Sequence, residues 1–136
     1  MSYPLTDIDG IDGATAAILK TVGVRSTGGL LEAARTVRGR KMLAIKTGVE
    51  EKRLLAWANV ADRMRVKGIR KEYAGLLQAA GVNTVKDLKY RNPGNLAKAM
   101  AEANKRRRMV TMLPSQKVVG HWIENAKKLQ LKITYK

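Results

Sequence analysis

Val66-Lys67-Gly68-Ile69-Arg70-Lys71-Glu72-Tyr73-Ala74-Gly75-Leu76-Leu77 is the stretch from which the rest of the chain can be read. A glycine and an apolar residue precede a proline-free run with helical spacing, and Gly81-Val82 ends that run where a left-handed residue would stop a helix. Working back from it, the same order stands 58 positions earlier. Gly10-Ile11 corresponds to Gly68-Ile69, Ala16 to Ala74, Ile18 and Leu19 to Leu76 and Leu77, Gly23-Val24 to Gly81-Val82, Thr27 to Val85 and Leu30 to Leu88. Working forward, Trp57-Ala58-Asn59-Val60-Ala61 finds its counterpart in Trp122-Ile123-Glu124-Asn125-Ala126 at an offset of 65, so seven extra residues fall around Arg91 to Arg108. One module therefore occurs twice, in residues 1–65 and 66–136.

Each copy reads as four helices. In the first, Ala14 to Val22 runs into Gly23, Ser26 or Thr27 caps a short helix through Leu30, Leu31 and Ala34, and Val37 to Ile45 stops before Gly48. The fourth spans Thr47 to Arg65, with Thr47 and Glu50 placed for a capping box. Its apolar stripe of Leu54, Trp57, Ala58, Ala61 and Met64 stands beside Lys52, Arg53, Asp62, Arg63 and Arg65. In the second copy, Glu72 to Ala80, Thr84 to Tyr90, Pro93 to Asn104 and Pro114 to Leu129 take the same roles, with both prolines in a first helical turn. Only Gln130 to Lys136 shows strand-like alternation, and with nothing to pair with it reads as a short flexible or irregular tail of the second unit. The expected fold class is all-α: two tandem four-helix units forming one compact body.

Composition narrows the functions. Of 136 residues 45% are hydrophobic, yet none is Phe, which favours helices packed through small side chains. The net charge of +16 requires more than solubility to explain it, and beyond Asp7, Asp9 and Asp12 only eight acids face all 27 cations. A polyanion is the natural partner. The absence of cysteine excludes a disulfide framework or a thiolate metal site and is compatible with a reducing cytoplasm. No secretory leader or membrane-length apolar run appears, so the expectation is a cytoplasmic protein without a membrane partner.

Gly10-Ile11-Asp12-Gly13 resembles the Gly-apolar-x-Gly turn of helix-hairpin-helix proteins. In such a turn glycine permits a tight reversal, the apolar residue plugs the gap beneath it, and the next helix begins with unpaired amides and the positive end of its dipole. That is a seat for a phosphate oxygen. In the first copy three nearby aspartates would repel phosphate, so Gly10, Ile11 and Gly13 form the weaker hairpin and read better as a packing turn. In the second, Lys71 replaces the last glycine, giving up backbone freedom for charge. Lys67, Gly68, Ile69, Arg70 and Lys71 are then the main candidate site, where packing and phosphate contact remain equally open. Whether the turns' carbonyls could instead hold a monovalent cation is not decided by sequence.

A family resemblance is carried by Ala61-Asp62-Arg63-Met64-Arg65-Val66-Lys67-Gly68-Ile69, Glu72-Tyr73-Ala74-Gly75-Leu76-Leu77, Ala80-Gly81-Val82-Asn83-Thr84-Val85, Arg91-Asn92-Pro93, Leu113-Pro114-Ser115, and Trp122-Ile123 through Ala126-Lys127-Lys128-Leu129. The chain resembles the domain of unknown function 4332 family over essentially its whole length, most specifically across residues 61–129. The resemblance implies a tandem helix-hairpin-helix fold and does not supply a function.

Lys105-Arg106-Arg107-Arg108 is the densest basic run, able to clamp phosphates or simply to complement a helix C-terminus. Arg35, Arg38, Arg40 and Lys41 form a weaker cluster of the same kind. Trp57 and Trp122 lie on apolar stripes and read as core; Tyr73 and Tyr90 are undecided. Aromatics at 4% favour backbone recognition over stacking of single strands. No nucleophile elbow, phosphate loop or metal-ligand cluster is present, His121 reads as helix surface, and Asp7, Asp9 and Asp12 read as caps and turns. The expectation is a non-enzymatic, cofactor-free protein that binds nucleic acid without regard to sequence, DNA before RNA. The alternatives are a module docking an acidic protein and an accessory domain of a DNA repair complex.

Overall fold

The computed structural model describes residues 2–136. Among them are eight α-helices: α1 Gly13–Thr21, α2 Thr27–Ala34, α3 Val37–Thr47, α4 Glu51–Arg63, α5 Lys71–Ala79, α6 Val85–Lys89, α7 Pro93–Arg106 and α8 Gln116–Lys127. A short 3-10 turn, Leu5–Asp7, precedes them, and the class is all-α. The chain divides into two compact units, one of the described residues up to Arg65 together with Lys132–Lys136, the other Val66–Leu131.

In the first unit helix starts are set by side chains that accept an otherwise orphaned amide. Asp12 takes the N–H of Thr15, Ser26 that of Gly29, and Thr36 that of Gly39. Gly48 ends α3 at φ 78°. The expected Thr47–Glu50 capping box does not form. Thr47 is the last residue of α3, its hydroxyl donates to the Leu43 carbonyl at 2.7 Å, and α4 starts from Glu50 without a side-chain cap. The left-handed glycine lets α3 run two residues further than the spacing suggested and so draws Thr47 into it.

Helices α2, α3 and α4 pack together around Leu30, Leu31, Ala34, Leu43, Leu54, Trp57, Ala58 and Ala61, all buried. Three charged residues join them. Asp62 and Arg63, read from the sequence as the wet flank of α4, are 4% and 1% exposed. Arg40, read as part of a surface cluster, is buried too, donating to the carbonyls of Ala34 at 2.9 Å and Thr134 at 2.7 Å. Ala34 closes α2, where carbonyls lack helical partners, and the guanidinium supplies the missing donor.

The same contact fixes the C-terminal residues. The Thr134 amide donates to the Arg35 carbonyl at 2.8 Å, Tyr135 to Asn59 at 3.3 Å, and Lys132 pairs with Glu32. The last five residues therefore lie with the first unit, not with the second as the sequence order suggested, because the acceptors and donors that satisfy them are on α2, α3 and α4.

The second unit has the same order of four helices. Thr84 caps α6 through the Asp87 amide, Asn92 caps α7 with Pro93 at its start, and Ser115 caps α8 through the Val118 amide. Pro114 therefore stands outside α8 and not in its first turn; the Ser115 hydroxyl wins the capping position. Asn104 organises the loop after α7, its carbonyl oxygen accepting the amides of Met109 and Val110 at 2.9 and 3.1 Å. The buried interior is built from Ile69, Ala74, Leu76, Leu77, Val82, Val85, Leu88, Leu96, Met100, Val119, Trp122 and Ile123.

Candidate nucleic-acid interface

The two hairpins have one backbone. Gly10 and Gly68 sit at φ 94° and 96°, the amides of Ile11 and Ile69 reach back to Ile8 and Val66, and Val24 and Val82 bond Leu19 and Leu77 across Gly23 and Gly81. Ile11 and Ile69 are the buried plugs, at 4% and 0% exposure. Each turn is closed by a tryptophan: Trp57 Nε1 lies 3.2 Å from where a Cβ on Gly10 would stand, and Trp122 Nε1 2.9 Å from the same point on Gly68. Both indoles are buried. Gly13 needs none of this freedom, since it has no positive φ and nothing lies within 4 Å of an added Cβ. Lys71 in its place costs the second hairpin no backbone freedom, contrary to the trade read from the sequence.

The two helix starts differ in charge. Asp12 places a carboxylate on the Thr15 amide at 2.8 Å, and that hydrogen bond, from backbone and side chain of Thr15, holds its pKa below the ordinary value. A negative oxygen of the protein's own thus takes an amide at the start of α1. At the equivalent place in the second stands Arg70, and α5 has no side-chain cap. Lys67, Gly68, Arg70 and Lys71 are all exposed, with Ile69 tucked beneath. Glu72, in the first turn of α5, is the one acid of this turn.

Lys105, Arg106, Arg107 and Arg108 are exposed at and just past the end of α7, with Lys105 3.5 Å from Glu102. The loop they enter is tied to α5: Tyr73 donates its hydroxyl to the Met112 carbonyl at 3.0 Å, and the Met109 methyl lies 3.0 Å from a Cβ built on Gly75. Tyr73 also packs against Trp122 with ring centroids 5.2 Å apart, so it is a packing residue, while Tyr90 is 77% exposed. Beside the hairpin an open groove of about 490 Å³ is lined by Lys67, Gly68, Val118, His121, Asn125 and Lys128, among others.

The charged cluster that sequence reasoning missed is in the first unit. Arg65 bonds Asp62 through Nε at 2.7 Å and through its terminal nitrogen at 2.5 Å, next to buried Arg63. Burial pushes Asp62 above its ordinary pKa against the attraction of Arg65, and pulls Arg63 down to about 10 against that of Asp62. The i,i+3 spacing of Asp62 and Arg65 signals the pair; nothing in the sequence signals its burial.

Among the described residues no three His, Asp or Glu gather as metal ligands, and no helix is long and apolar enough to cross a membrane. Searches of curated proteins and of solved structures find no significant match. The profile of one family, described as domain of unknown function (DUF4332), matches residues 9–129, and the chain belongs to that family.

Proposed function

We propose that this protein is a cytoplasmic, non-enzymatic binder of the nucleic-acid backbone, duplex DNA in the first place, acting without base recognition through its second helix-hairpin-helix turn. The observation that carries the reading is the exchange of Asp12 for Arg70 at equivalent helix starts: the first is capped by its own carboxylate, the second carries a cation and no side-chain cap. A phosphate oxygen at α5 would meet backbone amides, the positive end of a helix dipole, and Lys67, Arg70 and Lys71. Lys105 to Arg108 would extend the contact to neighbouring phosphates, and the +16 net charge would speed encounter.

Titration of a labelled duplex at several salt concentrations tests this. The slope of log K against log salt should be about −0.9 for each phosphate neutralised. Changing Lys67, Arg70 and Lys71 together to Glu should lower both affinity and slope, equally for duplexes of unrelated sequence. Unchanged binding by that variant would exclude the second hairpin.

A further inference from the structure

The outward face of α3 has a composition that backbone binding does not use. No acid lies between Glu32 and Glu50, and with Arg40 turned inward the exposed positions of α3 are Arg38, Lys41, Met42, Ile45 and Lys46. From Arg38 to Lys46 these recur at three and four residues, one face of a helix. In its middle Ile45 is 84% and Met42 48% exposed. The molecule carries its own control. The corresponding helix of the second unit, α7, buries Leu96, Met100 and Ala103, and none of its large apolar side chains is exposed. The outward apolar pair among cations on α3 is thus absent from its counterpart α7.

We propose that this face docks an acidic protein segment in which an apolar side chain is flanked by carboxylates, most simply one turn or two of an acidic amphipathic helix. Charge complementarity selects the carboxylates: Arg38, Lys41 and Lys46 face outward from α3 with no acid among them, while neighbouring Arg35 pairs with Glu32 at 3.9 Å. The apolar pair decides between polyanions. A phosphate backbone offers Ile45 nothing to bury against. A lipid surface takes a continuous apolar stripe, and α3 presents two apolar residues on one short stretch while its opposite face is packed into the unit. A peptide side chain between two carboxylates matches both the charge and the size of the patch. This surface is on the first unit and is independent of the hairpin proposed for nucleic acid.

The test uses the full chain and a synthetic helical peptide of Glu with Leu at every third or fourth position, against a peptide of equal charge with Ser for Leu. The Leu peptide should bind about tenfold more tightly, the effect of burying one aliphatic side chain. Changing Met42 and Ile45 together to Ser should erase that preference while leaving duplex affinity unchanged; Ile45→Ala, which preserves helix propensity, should reproduce most of the loss, with helicity checked by circular dichroism. Equal affinity for the two peptides would overturn the proposal. So would a preference that survives both variants, an Ile45-dependent binding seen only on phosphatidylserine vesicles, or a fall in duplex affinity on changing Ile45.

Discussion

Trp122 points its indole Nε1 at Gly68, 2.9 Å from where a Cβ would be, as Trp57 points at Gly10 from 3.2 Å. The last helix of each unit thereby braces the hairpin at its start, and the glycine is required twice over, by its positive φ and by the ring above it.

Gly68→Ala should destabilise the protein by about 2–4 kcal/mol, combining left-handed strain with displacement of a buried indole. Gly13→Ala, at the other glycine of the turn motif, should lie within about 1 kcal/mol of the original and on the stabilising side. Urea unfolding followed by tryptophan fluorescence compares the two; equal losses would show that the turn needs both glycines.

Exchanging the caps should exchange the hairpins' properties. Arg70→Asp gives α5 the carboxylate that α1 has, so stability should hold or rise by up to about 1 kcal/mol while the salt slope of duplex binding falls by about 1. Asp12→Arg should do the reverse, losing the cap's stability and gaining affinity. Affinity that simply follows stability in both variants would contradict the proposed anion seat.

Arg40→Met keeps the buried stem but removes the donors to the Ala34 and Thr134 carbonyls. The expected loss is about 1–3 kcal/mol, with faster hydrogen exchange at the Thr134 amide, which bonds Arg35 alongside. A variant as stable as the original and equally protected at Thr134 would show that Arg40 does not hold the C-terminal residues.

Acid should act on two carboxylates in opposite senses. Asp12, held below its ordinary value of 3.8 by the Thr15 hydrogen bonds, contributes stability above that value that is lost as pH falls through its folded pKa. Asp62, raised by burial, contributes stability fully present below 3.8 and lost as pH rises through its folded pKa. Asp12→Ser, a cap that does not titrate, should flatten the acid limb of stability measured between pH 2 and 7. Asp62→Asn should remove the component that favours low pH. An acid limb unchanged by Asp12→Ser would show that this cap does not couple folding to pH.

Much of the architecture was legible because it follows from local chemistry. Gly10 and Gly68, Gly23 and Gly81 mark turns only glycine closes cheaply, and Asp12 and Ser26 mark helix starts between them. The errors arose where two local rules competed, as at Thr47, claimed by α3 once Gly48 took the left-handed stop, and at Pro114, displaced by the Ser115 cap. The exposed hairpin cations were legible too, because a turn closed by a buried Ile69 must send Lys67, Arg70 and Lys71 outward.

By itself, then, the sequence determined an all-helical chain with an internal repeat, its hairpins and the unequal charge upon them, since periodicity, caps and glycines act within a few residues. Only the tertiary structure decided that Arg40, Asp62 and Arg63 are interior, that the last five residues belong with the first unit, and that α3 leaves Ile45 in water. Those outcomes depend on which carbonyls and side chains distant segments bring within reach. Local pattern counts a residue as polar or apolar but does not say what stands opposite it.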